Sequence, residues 1–348
     1  MLKTAKKITV LQVVNPGEII GDLDEKAAKQ LGLQQWNQTK GQEKVKVACG
    51  LIDAHAGVLG LLATKDIQNI ESTLCLISGT SACHMILNKK KMMIPGIWGP
   101  YFSAILGNYW LHEGGQSAVG SLIDHLIQSH PAYQEIEEKL KASEETENIY
   151  SYLEAKCVEM KHEKNLDSIH NLTKNLHVFP DFHGNRSPLA DPEMKGSIIG
   201  LDLDKSEKNL ALIYLSTIQA LAYETKLIVD HLTSYGHIID SVAICGGLSS
   251  SDLYNQTISD VLNLKVIKPH EPESVLLGSA ILASAAALKL ENNSGSLNSI
   301  GLEQALKNMQ GSGTSFEPYE NDQSYHQKKF QVFLKMLEDQ KKYRAMMN

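Results

Sequence analysis

Val242-Ala243-Ile244-Cys245-Gly246-Gly247 is a short apolar run closed by two glycines. Its reading decides the fold class. Four apolar residues backed by a glycine pair predict a buried strand. A helical stretch follows at 252–262, then a second strand at 265–268 and a second helix at 273–290. Such strand–helix alternation builds sheets covered by helices, so the chain is expected to be α/β. Upstream, 73–78 and 83–87 are apolar strands separated by Gly79-Thr80-Ser81-Ala82, a hairpin signal. The longest helix is expected at about 206–235, with Asp204 and Glu207 as a capping pair, Leu210, Ile213, Leu221 and Ile228 as its apolar stripe, and Gly236 as its stop. The polar stretch 131–164 reads as a peripheral helical excursion. Residues 291–323 read as a loose connection around one short helix at 302–309, and 325–343 as a docked terminal helix. Residues 8–14, followed by Asn15-Pro16 without a small-residue cleavage site, read as a strand rather than a signal peptide.

Composition narrows the function classes. A chain of 348 residues with 43% hydrophobic content can bury a sizeable core and favours two domains or one large one. The net charge of −7 disfavours a nucleic-acid binder that works by phosphate neutralisation. Lys89-Lys90-Lys91 and Lys341-Lys342 are short basic clusters that read as solvated faces. The longest apolar stretch, 274–290, is rich in Ala, Ser and Gly and too short for a membrane span, so no membrane partner is expected. Cys49, Cys75, Cys83, Cys157 and Cys245 are odd in number and show no Cys-x-x-Cys spacing. They are expected to be reduced and mostly buried, in a cytoplasmic protein. The histidines never pair with cysteines at ligand spacing, so no metal-ligating residue is expected.

Five stretches carry residue types suited to chemistry. Asp53 sits in Gly50-Leu51-Ile52-Asp53-Ala54-His55-Ala56-Gly57, where small neighbours let a substrate approach a carboxylate fit to act as a general base. A turn aspartate between two elements explains it equally well. Gly79-Thr80-Ser81 offers free N–H groups and hydroxyls to phosphate oxygens, although a plain hairpin turn needs no ligand. Its second copy, Gly313-Thr314-Ser315, reads as a loop. Glu113-Gly114-Gly115-Gln116 up to Gly120 reads as a glycine-rich entry to a helix at 121–128, suited to an anion or to close packing. Gly246-Gly247 with Ser249, Ser250 and Ser251 can let a purine or phosphate lie against backbone, or can serve close packing. In Asp181-Phe182-His183-Gly184-Asn185-Arg186-Ser187-Pro188, Arg186 is suited to a phosphate contact or to locking the loop by hydrogen bonds, while His183 and His55 read as structural.

The order of these motifs resembles the FGGY carbohydrate kinases, and within them the pentulokinase (ribulokinase-like) branch. The similarity runs from about Pro16 to the C-terminal helix, and Asp53-Ala54-His55-Ala56-Gly57 with Glu113-Gly114-Gly115-Gln116-Ser117-Ala118 are its most specific parts. The resemblance implies an actin/hexokinase-like (ribonuclease H-like) ATPase fold with two α/β domains closing on ATP and a sugar. It places the end of a first domain at 1–70 and the second, ATP-binding domain at 71–348, the latter complete and the former mostly missing. It puts the catalytic base on Asp53, a sugar contact on Glu113, the phosphate hairpin on Gly79 and Thr80, further nucleotide contacts on Gly120 and Asp124, and the adenine side on Gly246, Gly247 and Ser251. The family's opening Asp-x-Gly-Thr loop, which helps to hold Mg²⁺, does not occur in these 348 residues.

The implied function is transfer of the ATP γ-phosphate to a terminal hydroxyl of a small sugar, a ketopentose such as D-ribulose, with ATP and Mg²⁺ and with very low activity for this chain. The alternative is a non-catalytic truncated isoform that binds nucleotide or protein partners and self-associates through exposed surface. A complete non-kinase of the actin-like superfold is the third reading, and it leaves Asp53 and Glu113 without a use.

Overall fold

The computed structural model describes residues 13–37, 44–142, 148–291 and 300–347. Of the strand expected at 8–14, all but Val13 and Val14 lies outside these residues, and those two are in no regular element. Strands β1 (Ile19–Asp22) and β2 (Lys46–Ala48) form a small antiparallel pair, with α1 (Glu25–Gln30) and α2 (Gln34–Asn37) between them. Helix α3 (Asp53–Leu62) leads into four strands, β3 (Thr73–Ser78), β4 (Ala82–Asn88), β5 (Trp98–Phe102) and β6 (Trp110–Gln116). Helices α4 (Gly120–Ser129), α5 (Tyr133–Ala142) and α6 (Ile149–Glu163) follow, then a separate pair of β7 (His177–Phe179) and β8 (Ser197–Ile199). The long helix α7 (Glu207–Ser234) precedes β9 (Ser241–Cys245), α8 (Asp252–Leu262), β10 (Lys265–Pro269) and α9 (Ser274–Glu291). The described chain closes with α10 (Ile300–Asn308), β11 (Gly313–Phe316) and α11 (Glu320–Met347). Among the described residues, no helix is long and apolar enough to cross a membrane.

The main sheet has seven strands in the order β11-β10-β9-β3-β4-β6-β5. Its centre is parallel, with β9 between β3 and β10, and its flanks are antiparallel. Alternating residues divide the core between the two faces, as a period of two requires. Leu74, Leu76, Val242 and Ile244 join the cluster under α4, α6, α7, α8 and α11, while Cys75, Ala243 and Cys245 join the cluster under α3, α9 and α10. On the second face the helices nearly touch by their backbones. A Cβ on Gly60 of α3 would lie 2.0 Å from the Ser274 carbonyl oxygen, and one on Gly278 of α9 would lie 1.9 Å from that of Ala56.

Three expectations change. Helix α6 is not peripheral, because Leu153, Cys157 and Met160 are buried in the main cluster against α7. Gly313-Thr314-Ser315 is not a loop but lies in β11, antiparallel to β10 at the sheet edge. Its short polar sequence carries no strand signal, and pairing with an existing strand supplies the order that propensity does not. Helix α7 is capped by Ser206, whose hydroxyl accepts the Asn209 N–H, while Asp204 accepts from the backbone and side chain of Ser206. The terminal helix docks as expected, with Phe330, Phe333, Met336 and Leu337 buried. Each contributes about 1.5–3 kcal/mol by burial.

Candidate active site

Strands β3, β9 and β10 run parallel and end at the same edge of the sheet. Clefts for ligands form beyond such carboxyl ends in α/β sheets. Here the cleft has a volume of about 730 Å³ and is walled by Ile77, Cys245, Gly246, Gly247, Val275 and Thr314, among others, within the usual range for small-molecule sites of roughly 300–1,000 Å³. Gly246 is held at φ +95°, and a Cβ there would meet the Ser78 carbonyl oxygen at 2.4 Å. Only glycine suits that turn. A Cβ on Gly247 would meet nothing within 4 Å, so that glycine is not demanded by packing and leaves a flat face open to a ligand. The two neighbours therefore predict different results. Gly246→Ala is expected to cost about 2 kcal/mol or more of folding stability. Gly247→Ala is expected to change stability by less than about 0.5 kcal/mol yet weaken ATP binding, as read by denaturant melts alongside calorimetric titration.

Asp53 is the first residue of α3, exposed, with Oδ1 accepting its neighbour Ala54 N–H at 2.7 Å. A carboxylate in the first turn complements the helix dipole. One turn later, a Cβ on Gly57 would sit 3.4 Å from Ile77, 3.5 Å from Val275 and 3.9 Å from Cys245, three residues of the cleft wall. The exposed carboxylate is thus about 6 Å along the helix axis from the point where α3 meets the cleft.

Glu113 lies on β6, buried and paired with Met85 in the middle of β4. Its Oε2 is 3.4 Å from His55 Nε2 and its Oε1 is 3.9 Å from Arg186 Nη2. The Arg186 guanidinium stacks on Trp98, 4.2 Å from the ring centroid. Burial, followed by the Glu113 charge, pushes the Cys83 thiol up to about 11, and the charge of Asp53 adds to that shift. Asp53 and Glu113 therefore act on one neighbourhood. Arg186 contacts this acidic group rather than a loop backbone, and His55 is a member of the cluster; both departures come from long-range packing. Gly114 and Gly115 are strand residues of β6, not the entry to a helix. A Cβ on Gly115 would lie 3.1 Å from Arg186 Cδ and Nε, so this glycine makes room for the arginine arm.

The loop holding Arg186 is fixed from beneath. Asn185 Nδ2 donates to both Asp181 oxygens at 3.1 Å and to Glu224 Oε1 at 3.3 Å, and its Oδ1 accepts the Leu189 N–H. Burial raises both carboxyls, Asp181 to about 6 and Glu224 well above its ordinary value; the charge of Asp181 raises Glu224 further, while hydrogen bonds with Glu224 and Asn185 hold the Asp181 shift back. At Asp181 the fold therefore binds more protons than the unfolded chain, so the stability its protonated form contributes is fully present in acid and is lost as pH rises through about 6. Asp181→Asn should make stability fall less steeply than in the wild type over that window. Urea denaturation of the two proteins at a series of pH values checks this, and parallel curves would refute it.

The hairpin turn and the start of α4 are clamped together. Gly120 N–H donates to the Gly79 carbonyl at 3.0 Å, and Val119 N–H, Ser121 N–H and Ser121 Oγ–H donate to that of Thr80. Gly79, Thr80 and Gly120 are thereby brought to one place. Of the two readings of this helix start, close packing is the one these bonds favour, because the leading N–H groups of α4 are occupied by the turn. Asp124 accepts the Tyr150 hydroxyl. Ser251 caps α8 and donates to Glu154 Oε1 at 2.7 Å, so its hydroxyl is committed. Sequence reading missed Thr314, Trp98 and Cys83 as members of the site, and Thr314 alone carried a signal, as the repeat of Gly-Thr-Ser.

For ATP, the open face at Gly247 and the cleft volume fit a nucleotide. Mg²⁺ enters such sites with phosphate oxygens and one or two carboxylates. With no Asp-x-Gly-Thr loop in the sequence, no step is derived through the ion.

The model of the FGGY family of carbohydrate kinases, C-terminal domain, matches residues 74–287. The human FGGY carbohydrate kinase domain-containing protein is 41% identical over 346 residues, covering 97% of this chain and 59% of that protein. A D-ribulokinase of Saccharomyces cerevisiae is 34% identical over 288 residues, covering 78% of this chain and 39% of the yeast protein. The crystal structure of a xylulose kinase from Lactobacillus acidophilus superposes with a TM-score of 0.67 at 16% identity, covering 95% of this chain and 57% of that one. The chain thus spans between 39% and 59% of the length of these relatives, and its α/β sheet has the actin/hexokinase-like fold of the sugar kinases. It belongs to the FGGY family of carbohydrate kinases and covers their C-terminal domain.

Proposed function

We propose that this chain carries the nucleotide face and the catalytic base of a ribulokinase-type sugar kinase. The observation that carries the reading is the placement of Asp53, exposed at the head of the helix whose next turn packs on the wall of the glycine-lined cleft. ATP lies with its adenine side on Gly246 and Gly247 and its phosphates toward Gly79, Thr80 and Gly120. Asp124 and Ser251 act indirectly, holding α6 against α4 and α8 through Tyr150 and Glu154. A terminal hydroxyl of a ketopentose such as D-ribulose meets Asp53, which takes its proton as the oxygen attacks the γ-phosphorus and ADP leaves. Glu113, held between His55 and Arg186, orients the sugar. A Mg²⁺ ion bound with ATP would supply charge neutralisation at the phosphates.

The reading divides the chain at about residue 70, with the base on the first-domain side, and puts the protein in the cytoplasm. Kinases of this type rely almost entirely on positioning and electrostatics, and low turnover of these 348 residues assayed alone is part of the proposal. A coupled ADP-release assay with D-ribulose and Mg²⁺ tests both parts. Sugar-dependent release slower than about one per second is expected. Faster turnover refutes the low-activity part, and release independent of sugar refutes the kinase reading.

A further inference from the structure

Three side chains distant in sequence converge on the helical side of the main sheet, away from the cleft. His170 lies in the 3-10 turn Ile169–Thr173, Asp260 near the end of α8 and His326 in the second turn of α11. Their exposures are 2%, 1% and 2%. Two imidazole nitrogens and one carboxylate oxygen lie within 4.8 Å of one another, and the two rings meet edge to face with centroids 4.4 Å apart.

Hydrogen bonding leaves these donor atoms over. His326 Nδ1 faces the Tyr223 hydroxyl at 2.9 Å, and its Nε2 has no partner. Asp260 Oδ1 accepts the Tyr319 N–H at 2.7 Å and the Gln256 amide at 2.9 Å. Its Oδ2 has no hydrogen bond and lies 3.5 Å from His170 Nε2. Orphaned polar atoms in an interior cost about 1–3 kcal/mol each, and a buried carboxylate calls for a cation. Lys329, one turn along α11, does not answer it, because its ammonium donates to the carbonyls of Thr173 and Leu176.

We propose that His170, Asp260 and His326 form a structural divalent-cation site, and that the ion is zinc. Two neutral imidazoles and a carboxylate are a zinc donor set, whereas Ca²⁺ and Mg²⁺ require oxygen ligands. Zinc bonds of about 2.0–2.1 Å in a tetrahedron separate the donors by about 3.3 Å. The His170–Asp260 edge is already close to that length, and the edges to His326 need a closure of at most about 1.5 Å. The fourth position goes to water.

The outer shell fits as well, since metal-bound imidazoles donate their other N–H. His326 Nδ1–H has the Tyr223 oxygen. At His170 the shell has to adjust: the Gln219 amide nitrogen lies 3.3 Å from Nδ1 and donates to the His170 carbonyl at 3.4 Å, and turning the amide gives up that long bond, presents its oxygen to Nδ1–H and lets Thr173 Oγ1 accept the nitrogen. The ion ties α11 and the 169–173 turn to α8, whose other end begins at Ser251 beside the cleft. No local spacing announced this site, because its three ligands come from three segments.

Full-length protein purified from zinc-supplemented cells is expected to retain about one zinc per chain after dialysis, by elemental analysis. Asp260→Asn should retain at least about tenfold less. Chelator-stripped wild type should melt several degrees lower and recover on addition of zinc. In case the variant fails to fold, zinc X-ray absorption on the wild type decides, with two imidazoles, oxygen and no sulfur expected. A wild type that takes up no zinc, zinc content indifferent to Asp260→Asn, or an absorption spectrum with sulfur or a different imidazole count each overturns the proposal.

Discussion

Asp53→Asn is expected to lower D-ribulose phosphorylation by about 10²–10⁴-fold, the usual contribution of a positioned general base. Asparagine keeps the size of the side chain and its bond to Ala54 N–H but cannot take a proton. Labelled-ATP assays at high enzyme concentration, compared with the chain's own rate, measure this even where turnover is slow. ATP binding should be unchanged, because Asp53 stands one helical turn away from the wall of the cleft. A loss under about tenfold, or a matching loss of ATP affinity, would show that Asp53 is only the first residue of a helix.

Gly278→Val should destabilise the fold by about 3 kcal/mol or more. The added Cβ would stand 1.9 Å from the Ala56 carbonyl oxygen, and at the matching contact a Cβ on Gly60 would stand 2.0 Å from the Ser274 carbonyl oxygen. These neighbours are backbone atoms and cannot rotate away, so α3 and α9 must separate. Leu59, Leu61, Ile281 and Leu282, all buried at or beside this crossing, then lose packing. A loss of this size is a large fraction of the 5–15 kcal/mol that holds a typical domain. Gly301→Ala, where an added Cβ would meet, among the described residues, only the Ala285 carbonyl oxygen at 3.8 Å, serves as a control expected within about 0.5 kcal/mol of wild type. Equal midpoints in denaturant for Gly278→Val and wild type would refute the close-crossing account. Because α3 also presents Asp53, folded Gly278→Val protein should phosphorylate sugar more slowly as well.

Elements with a strong local pattern were legible in the sequence. The run at 242–245 forms β9, 252–262 forms α8, and the hairpin of β3 and β4 turns at Gly79-Thr80-Ser81. Each combines hydrophobic periodicity with glycine stops, signals that act over a few residues. Asp53 and Glu113 could be singled out for the same reason, since both stand among glycines and small residues that mark close approach. The boundaries that failed had weak local signals. Strand β11 is polar and short and is ordered by β10, while α6 looked peripheral because its three buried residues are set among many charged ones.

The sequence by itself determined the α/β class, the order of the motifs and the family, because strands, helices and glycine turns are written in short-range patterns. Only the tertiary structure decided which side chains share a site. It stacked Arg186 on Trp98 beside Glu113 and His55, used the start of α4 to hold a turn, and gathered His170, Asp260 and His326 in one interior. Burial and charge at these places depend on chain segments far apart in number, brought together by packing across both faces of one sheet.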